Sequence, residues 1–200
     1  MSAVSADISM SLDGYVTGPD PNLTNGLGTG GEPIQQWVFN SHDSPEDRVY
    51  LEKAGSGVGA VVMGRRTFDF VDGPHGWDDE ISYAYDHTVT TQPPVFVLTH
   101  TVPHQTRHPA GFTFVTGGIS EVVAAARREA GDKETVIMGG ANTIAQALSA
   151  GLVEELRIHL SPVLMGGGTR LFDMIDDPLL LTQTEAVATP NATHLTYRVR

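Results

Sequence analysis

Two stretches of the chain place glycine after an apolar run and before a helical pattern, an arrangement that can bind phosphate. Val136–Leu148 (VIMGGANTIAQAL) contains the pair Gly139 and Gly140, and Val58–Thr67 (VGAVVMGRRT) ends in Gly-Arg-Arg-Thr. Glycine lets a ligand approach the backbone closely, and the free N–H groups and dipole of a helix N-terminus attract anions. Both stretches therefore predict a phosphate site, although a lone Gly-Gly pair is more often only a tight turn.

The helix starts in these stretches carry their own signals. Asn142 or Thr143 can cap the helix after the glycine pair, and Ile144 begins its apolar side. In the other stretch Arg65 and Arg66 fall in the first helical turn, where the helix dipole disfavours cations. A bound anion would remove this cost, whereas the plain alternative is that both arginine side chains reach solvent.

Strand patterns recur along the rest of the chain. The first covers Val4–Leu12, where apolar and small polar residues alternate, and it closes at Asp13-Gly14. Residues 17–33 are rich in glycine and proline and predict a long loop, of the kind that often forms a lid or binding loop. Further strands are predicted at 58–63, 95–99, 112–115, 136–138, 153–165, 179–188 and 193–200.

Two further helices carry capping signals. Ser44 precedes Pro45 and two acids, which predicts an N-cap, a proline at the first position and favourable charges in the first turn. Ser120-Glu121 similarly predicts the start of a helix that stops at Gly131. Helices thus alternate with strands for most of the chain.

This alternation predicts one α/β domain over residues 1–200. Its sheet is expected to be mostly parallel, with helices on both faces and an antiparallel C-terminal edge. In such sheets ligands bind at the carboxyl ends of the strands. Gly64, His100, Gly117 and Gly139 each follow a predicted strand, so we expect all four at one edge.

Composition excludes several classes of function. The formal net charge is -12, from 12 Lys and Arg against 24 Asp and Glu, which disfavours nucleic acid and anionic lipid as partners. The chain has no cysteine, so disulfides, thiolate nucleophiles and cysteine-ligated metals are excluded. We find neither a signal peptide nor a membrane-spanning run, and we expect a cytoplasmic protein.

Two other motifs are weaker than they look. Gly26, Gly28 and Gly31 match the dinucleotide pattern G-x-G-x-x-G, but the preceding residues predict no strand, so we interpret the match as accidental. His100, His104 and His108 would share one helix face as metal ligands, but Pro103 and Pro109 disfavour a helix there. A solvated loop is the preferred interpretation, and we predict no metal site.

Five segments together resemble the dihydrofolate reductase superfamily. They are DISMSLDGYV, VVMGRRTF, VFVLTH, VIMGGANTIAQAL and ELRIHLSPVLMGGGTRLF, in this order over nearly the whole chain. The likeness is greater to the bacterial branch related to the C-terminal reductase domain of the riboflavin-biosynthesis deaminase-reductase. The resemblance implies a dihydrofolate reductase-like fold that binds NADPH across the strand ends.

The resemblance also implies which residues bind the cofactor. Gly64–Thr67 corresponds to the segment that holds cofactor phosphates, Leu98–His100 to the strand end that meets the adenosine 2′-phosphate, and Gly139–Ile144 to the glycine pair and helix near the nicotinamide and pyrophosphate. In the family a cis peptide joins the two glycines. The full predicted set is Val16, Thr17, Gly64, Arg65, Arg66, Thr67, Leu98, Thr99, His100, Gly117, Met138, Gly139, Gly140, Ala141, Asn142, Thr143 and Ile144.

Asp13, Glu32 and Trp37 are the predicted substrate-binding residues, and no catalytic residue is assigned. Trp37 either packs in the core or walls a pocket beside the long loop. Folate-reducing relatives carry a carboxylate early in the helix after this loop, whereas here Glu32 and Asp43 only flank it. Many relatives have Arg or Ser where this chain has His100, so the choice between NADP and NAD stays open.

Two functions are compatible with these residues. The first is an NADPH-dependent reductase that transfers hydride to a small planar heterocycle resembling a pterin, a pyrimidine or a flavin precursor. The alternative is a nucleotide- or flavin-binding protein on the same fold without turnover, because the fold alone does not determine chemistry. The lack of cysteine excludes the zinc deaminase half of the riboflavin enzyme. The resemblance also implies a homodimer formed through the sheet and the C-terminal strands.

Overall fold

A computed structural model describes residues 3–77, 83, 92–107 and 111–200 of the chain. Ten strands occur within these residues. They are β1 (Val4–Ser11), β2 (Tyr15–Thr17), β3 (Val58–Gly64), β4 (Val95–Leu98), β5 (Phe112–Val115), β6 (Glu134–Gly139), β7 (Glu155–Ser161), β8 (Thr169–Arg170), β9 (Leu181–Ala188) and β10 (Thr193–Val199). The described α-helices are α1 (Gln36–Phe39), α2 (Pro45–Gly57), α3 (Arg65–Val71), α4 (Ile119–Ala130) and α5 (Ala141–Ser149), and short 3-10 turns cover Glu32–Gln35 and Ser41–Asp43.

Eight of the strands form one sheet in the order β5-β4-β3-β6-β1-β7-β10-β9. The strands from β5 to β7 are parallel to their neighbours, whereas β10 is antiparallel to both β7 and β9. The predicted mostly parallel sheet with an antiparallel C-terminal edge is therefore confirmed. A small ribbon of β2 and β8, which the sequence pattern did not predict, lies beside it.

One face of the sheet is apolar and packs against α4 and α5. Alternate residues of the strands point to this face, because successive side chains of a strand alternate between faces. We call this group the apolar layer; its fully buried members include Val4, Ala6, Val62, Ile137, Leu156, Val122, Ala126, Ile144 and Ala147.

The opposite face is divided into two halves. Under α3, the strands β3, β4 and β6 supply a second apolar cluster around Met63, Val97 and Phe68. Under α1 and α2, the strands β1, β7 and β10 instead supply polar side chains. We call this second group the polar layer; its members are Asp7, Ser9, Trp37, Asp47, Tyr50, Arg157, His159 and His194.

The predicted start of α2 is confirmed. Ser44 is its N-cap and accepts a hydrogen bond from Asp47 N at 3.2 Å, and Pro45 is the first helical residue. The proline lacks an N–H that would be unpaired at this position anyway, which is why it fits there.

The predicted caps of the other two helices are wrong. The α4 helix begins at Ile119 with Gly118 as its N-cap, and not at Ser120. Gly118 has φ +93°, an angle that residues with a side chain rarely adopt. The α5 helix has Gly140 as N-cap, so Asn142 and Thr143 lie inside its first turn. In both cases the chain turns sharply from a loop or strand into the helix, and glycine takes the cap position that a polar side chain usually holds.

Strand ends differ from the predicted ones by a few residues. The strand predicted over 95–99 ends at Leu98, because the Thr99 hydroxyl donates a hydrogen bond to Thr101 O at 2.8 Å and turns the chain. The strand predicted over 153–165 is limited to 155–161. The loop of residues 17–33 contains the three glycines of the accidental motif, and no helix opens among them.

The remaining sequence expectations concern helices that would carry metal ligands or span a membrane. No helix forms over His100 and His104, and His108 lies outside the described residues. In the described ranges, every helix is too short or too polar for a membrane span.

Candidate active site

Two glycine turns lie side by side at the carboxyl edge of the sheet. The parallel strands β3 and β6 bring Met63 opposite Gly139. A Cβ built on Gly64 would lie 2.4 Å from Thr143 Oγ1, and one built on Gly140 would lie 3.5 Å from Thr67 Oγ1. The starts of α3 and α5 therefore face each other, with two threonine hydroxyls close to the turns.

The second of these turns presents unpaired backbone donors. Gly139 and Gly140 are joined by a cis peptide bond, as the resemblance implied, and Gly139 has φ +136°. The N–H groups of Thr143 and Ile144 bond to Gly140 O at 3.0 and 3.2 Å. Among the described residues, no acceptor pairs with the N–H of the two preceding helical residues, 141 and 142. Free donors at a helix N-terminus are suited to a phosphate.

The two arginines of the neighbouring turn have different environments. Arg65 Nε lies 2.6 Å from Asp69 Oδ1, and Arg65 Nη1 donates to Thr101 O at 2.7 Å. Arg65 thus ties α3 to the segment after β4. The Arg66 side chain is exposed, and within the described ranges it has no ion-pair or hydrogen-bond partner. Arg66 is therefore the cation that is free to meet a ligand.

Further predicted residues extend the same edge. Thr99 is buried, whereas His100 is exposed just beyond the end of β4. Gly117 follows β5, and a Cβ there would lie 1.6 Å from Glu121 Oε2, so this carboxylate covers the glycine. Because β3, β4, β5 and β6 are parallel, all these turns share one edge of the sheet, as predicted.

Other members of the predicted cofactor set lie deeper or carry structural contacts. Val16 is buried in the apolar layer, and Thr17 Oγ1 accepts from Thr169 N at 3.3 Å. Leu98 is half-buried and packs against the apolar layer, and Met138 is half-buried and packs against the second apolar cluster under α3. Asn142 is exposed and its amide contacts Met174 Sδ at 3.1 Å.

Asp13, a predicted substrate ligand, already has several partners. Its carboxylate accepts hydrogen bonds from Ser11 Oγ at 2.7 Å, Met165 N at 3.0 Å and Gly166 N at 2.7 Å. These bonds, the one from Met165 N first, lower the pKa of Asp13 to about 2. Asp13 thus joins the turn after β1 to the segment after β7, while Glu32 is exposed on its 3-10 turn.

A model of the RibD C-terminal domain family matches residues 2–195. The chain belongs to this family. Membership confirms the resemblance found in the sequence and makes the chain a reductase-like domain whose relatives use NADPH. The comparison with curated proteins gives no match.

Several solved structures are similar to this RibD C-terminal domain. A protein of Shewanella sp. PV-4 assigned to riboflavin biosynthesis is 26% identical over 99% of both chains, with a TM-score of 0.69. The Thermotoga maritima diaminohydroxyphosphoribosylaminopyrimidine deaminase/5-amino-6-(5-phosphoribosylamino)uracil reductase is 12% identical, with a TM-score of 0.63 over 100% of this chain and 57% of that one. Dihydrofolate reductase from Enterococcus faecalis, complexed with NADP(H), is 16% identical, with a TM-score of 0.59 over 98% and 96%. The last two confirm the fold.

The polar layer of the RibD C-terminal domain contains an array that sequence reasoning missed. Asp7 Oδ1 lies 2.9 Å from His159 Nε2, His159 Nδ1 lies 2.6 Å from His194 Nδ1, and His194 Nε2 lies 2.7 Å from Asp47 Oδ1. Both histidines and Asp47 are buried, whereas Asp7 is partly exposed. Asn191 Nδ2 also donates to Asp47 Oδ2 at 2.8 Å.

Aromatic side chains cover this array. Trp37, the third predicted substrate residue, is buried with its ring centroid 4.2 Å from that of His159. Its indole N–H donates to Ser9 Oγ at 2.8 Å. Tyr50 stacks on His194 at 4.0 Å between centroids. Trp37 therefore packs inside the domain, directly over the array.

Burial and hydrogen bonds shift the pKa values of the array in opposing ways. Burial alone raises the pKa of Asp7 and of Asp47, but His159 beside the first, and hydrogen bonds from Asn191 and His194 to the second, hold both pKa values below their ordinary range. Burial lowers the pKa of His194, against the effect of its bond to Asp47. Both carboxyl groups are therefore ionised at neutral pH.

The signal that could have revealed the array is the alternation of polar residues in three strands. Ser5, Asp7, Ser9 and Ser11 alternate in β1, Arg157, His159 and Ser161 in β7, and His194 and Thr196 in β10. Each strand alone looks like a strand with one face in water. Only their adjacency in the sheet, with His159 opposite both Ser9 and His194, shows a shared buried layer.

Proposed function

We propose that this RibD C-terminal domain is an NADPH-dependent reductase that transfers hydride to a small planar heterocycle. The observation that carries the proposal is the pair of facing glycine turns, which offers two unpaired backbone N–H groups beside the exposed Arg66. Such donors and a free cation are what a dinucleotide pyrophosphate needs. NADPH, when bound, supplies the hydride.

The fit of NADPH to this edge rests on space as well as charge. Glycine at 139 and 140 leaves the backbone open to a ligand, whereas the space beside Gly64 is taken by the Thr143 hydroxyl. In our proposal the phosphates lie near Arg66, Thr67 and the N-terminus of α5, and the nicotinamide lies against Gly139-Gly140. The adenosine end extends toward Thr99 and His100. Arg65 keeps the segment after β4 in place for this end through its bond to Thr101 O.

Two structurally similar proteins support the proposed substrate class. The Thermotoga protein is described as a uracil derivative reductase, and a Corynebacterium diphtheriae protein with a TM-score of 0.60 as pyrimidine reductase-like. We therefore place this domain in riboflavin biosynthesis or a related reduction, with Asp13, Glu32 and Trp37 as predicted substrate neighbours.

Calorimetry tests the cofactor site through Arg66→Ala. We expect NADPH affinity to fall by about 1.5 to 3 kcal/mol, because a charge-assisted hydrogen bond is lost. Arg128→Ala is the matched control, since Arg128 is also an exposed arginine but lies in the last turn of α4. Equal NADPH affinity in wild type and Arg66→Ala would remove this residue from the cofactor site.

Turnover separates the reductase from the non-catalytic alternative. NADPH oxidation is followed by absorbance with a panel of pterins, phosphoribosylaminopyrimidines and flavin precursors. Oxidation that depends on one panel member identifies the substrate class. Tight NADPH binding without oxidation across the panel would favour a nucleotide-binding protein instead.

We also propose a homodimer formed through the C-terminal edge. Within the described part of the chain, the outer strand β9 has no neighbour beyond it in the sheet, and Leu180 and Leu181 are 70% and 41% exposed beside it. An unpaired edge with apolar side chains favours pairing with a second strand. Light scattering at micromolar concentration is expected to give twice the 21.4 kDa chain mass, and Leu180→Lys to reduce it. A monomer mass for the wild type would contradict the dimer.

A further inference from the structure

The array of Asp7, His159, His194 and Asp47 contains more hydrogen bonds than two neutral imidazoles can supply. Three contacts follow one another, from Asp7 to His159, from His159 to His194, and from His194 to Asp47, at 2.9, 2.6 and 2.7 Å. Each contact of this length needs one proton between its two heavy atoms. The array therefore needs three protons, and because both carboxyl groups are ionised, all three must lie on the four ring nitrogens.

Two neutral imidazoles carry only two protons between them. If both protons are placed on the Nε2 atoms, where they meet the carboxylates, the Nδ1 lone pairs of His159 and His194 face each other at 2.6 Å. If one is moved to Nδ1, an Nε2 lone pair faces a carboxylate oxygen instead. Either arrangement puts two acceptors in contact in a buried place, which is costly.

We propose that these four side chains form a buried proton-binding site, in which one proton beyond those of two neutral imidazoles is shared between the Nδ1 atoms of His159 and His194. The pair then carries one positive charge between two carboxylates, and each of the three contacts has its donor. This inference rests on the geometry of the array and holds whether or not the domain reduces a substrate.

Charged groups on the neighbouring elements favour this state. On β7, Arg157 Nη1 lies 3.8 Å from Asp7 Oδ2, and Arg157 also pairs with Glu134 of β6 and Glu155 of its own strand. On α2, Lys53 interacts electrostatically with Asp7, and the Tyr50 hydroxyl bonds to Glu185 of β9 at 3.4 Å. The acids among these residues outnumber Arg157 and Lys53, so a cationic histidine pair is compensated.

The shared proton has a direct effect on Trp37. The indole ring lies over His159 at 4.2 Å between centroids and meets His194 edge-on at 5.2 Å. A cationic imidazole under an indole face is attracted to the ring and quenches its fluorescence. Loss of the proton therefore changes both the contact that holds Trp37 and its emission, so pH reaches the residue predicted to lie beside the substrate.

Nitrogen NMR on protein with ¹⁵N-labelled histidine counts the protons directly. At neutral pH we expect three protons on the four ring nitrogens of His159 and His194, with both Nδ1 shifts midway between protonated and unprotonated values. A proton resonance far downfield of the amides should accompany them. Two protons on the four nitrogens, with ordinary shifts, would overturn the proposal.

Fluorescence in a Trp77→Phe background follows the same proton, because the chain has only two tryptophans. Trp37 emission should rise as the pair loses its proton with increasing pH. Asp7→Asn removes one compensating carboxylate at the exposed end, and the midpoint should then fall by about one pH unit or more. His42→Gln is the matched control, since His42 lies 3.0 Å from Asp43 but is largely exposed.

The two measurements decide the proposal together. The site is supported if the pH midpoint of the Trp37 emission change falls in Asp7→Asn and equals the wild-type value in His42→Gln. A midpoint that is the same in all three proteins contradicts it, because an internal proton has to respond to the charge beside it. Should Asp7→Asn fail to fold, the proton count of the wild-type histidines decides alone.

Discussion

The apolar layer and the polar layer share the strands β1, β7 and β10, but different interactions stabilise them. In β1, β7 and β10 one set of alternate residues packs against α4 and α5, and the other set forms hydrogen bonds under α1 and α2. Apolar contacts are non-directional and tolerate small movements. The polar layer is stable only while each buried donor and acceptor keeps its partner.

This difference indicates that the polar layer is the part of the domain in which the fold is less stable than it could be. A buried polar network is often no more stable than an apolar replacement of equal volume. Apolar side chains could fill this half of the second face, as they do in the second apolar cluster under α3. This polar layer lies on the face of α1 and Trp37, the side on which the substrate is predicted to bind.

The largest effect is expected in the apolar layer. Leu156 is fully buried, and Leu156→Ala removes its side chain from a core that cannot fully collapse. We expect the free energy of unfolding to fall by about 3 kcal/mol, and by the same amount at pH 5 and pH 7.5. Urea unfolding at both pH values measures this. A clearly pH-dependent loss would mean that the two layers are energetically coupled.

A smaller, pH-dependent effect is expected in the polar layer. Asp47→Asn keeps the shape but weakens the bonds to His194 and Asn191, at a cost of about 2 kcal/mol near neutral pH. The pKa of Asp47 is lowered in the folded protein, so its stabilising contribution is present above about pH 4 and is lost as pH falls below that. The difference from wild type should therefore shrink in acid. A constant difference from pH 7 to pH 3 would show that Asp47 acts by packing alone.

The smallest effect concerns the rim of the polar layer. Ser9→Ala removes the acceptor of the Trp37 indole N–H, and we expect a loss of about 1 kcal/mol in the free energy of unfolding. Ser9→Thr, which keeps a hydroxyl, is the control. If Ser9→Ala were as stable as wild type while Trp37 emission stayed the same, the indole N–H would have another partner.

The sequence predicted the two glycine turns well because their signals are local. An apolar run followed within a few residues by glycine and a helical pattern predicted the turns at Gly64 and Gly139, and the alternation of elements predicted that they share an edge. The caps at Ser120 and at Asn142 or Thr143 were wrong, since a glycine N-cap leaves no side-chain signal. The different environments of Arg65 and Arg66 could not be predicted from the sequence. Thr101, whose carbonyl accepts a hydrogen bond from Arg65, lies 36 positions away.

The polar layer could not be predicted in the same way. His159 and Asp7 are 152 positions apart, and His194 and Asp47 are 147 apart. In β1 the small polar residues look like a solvent-facing side, and only the packing of α2 over them shows that they are buried. The sequence leaves open whether Trp37 packs in the core or walls a pocket for the same reason, because the residues beneath it lie on three distant strands.

The central place of β1 has a consequence for the order in which the chain is assembled. This strand leaves the ribosome first, yet its neighbours β6 and β7 begin at Glu134 and Glu155. The strands β3, β4 and β5 can pair with one another well before that, whereas β1 must wait for its sheet neighbours β6 and β7 to emerge. Of the four residues in the array His194 emerges last, so the histidine pair can close only after β10 has been synthesised. A nascent chain stalled before β10 would contain the two glycine turns but not the complete buried array.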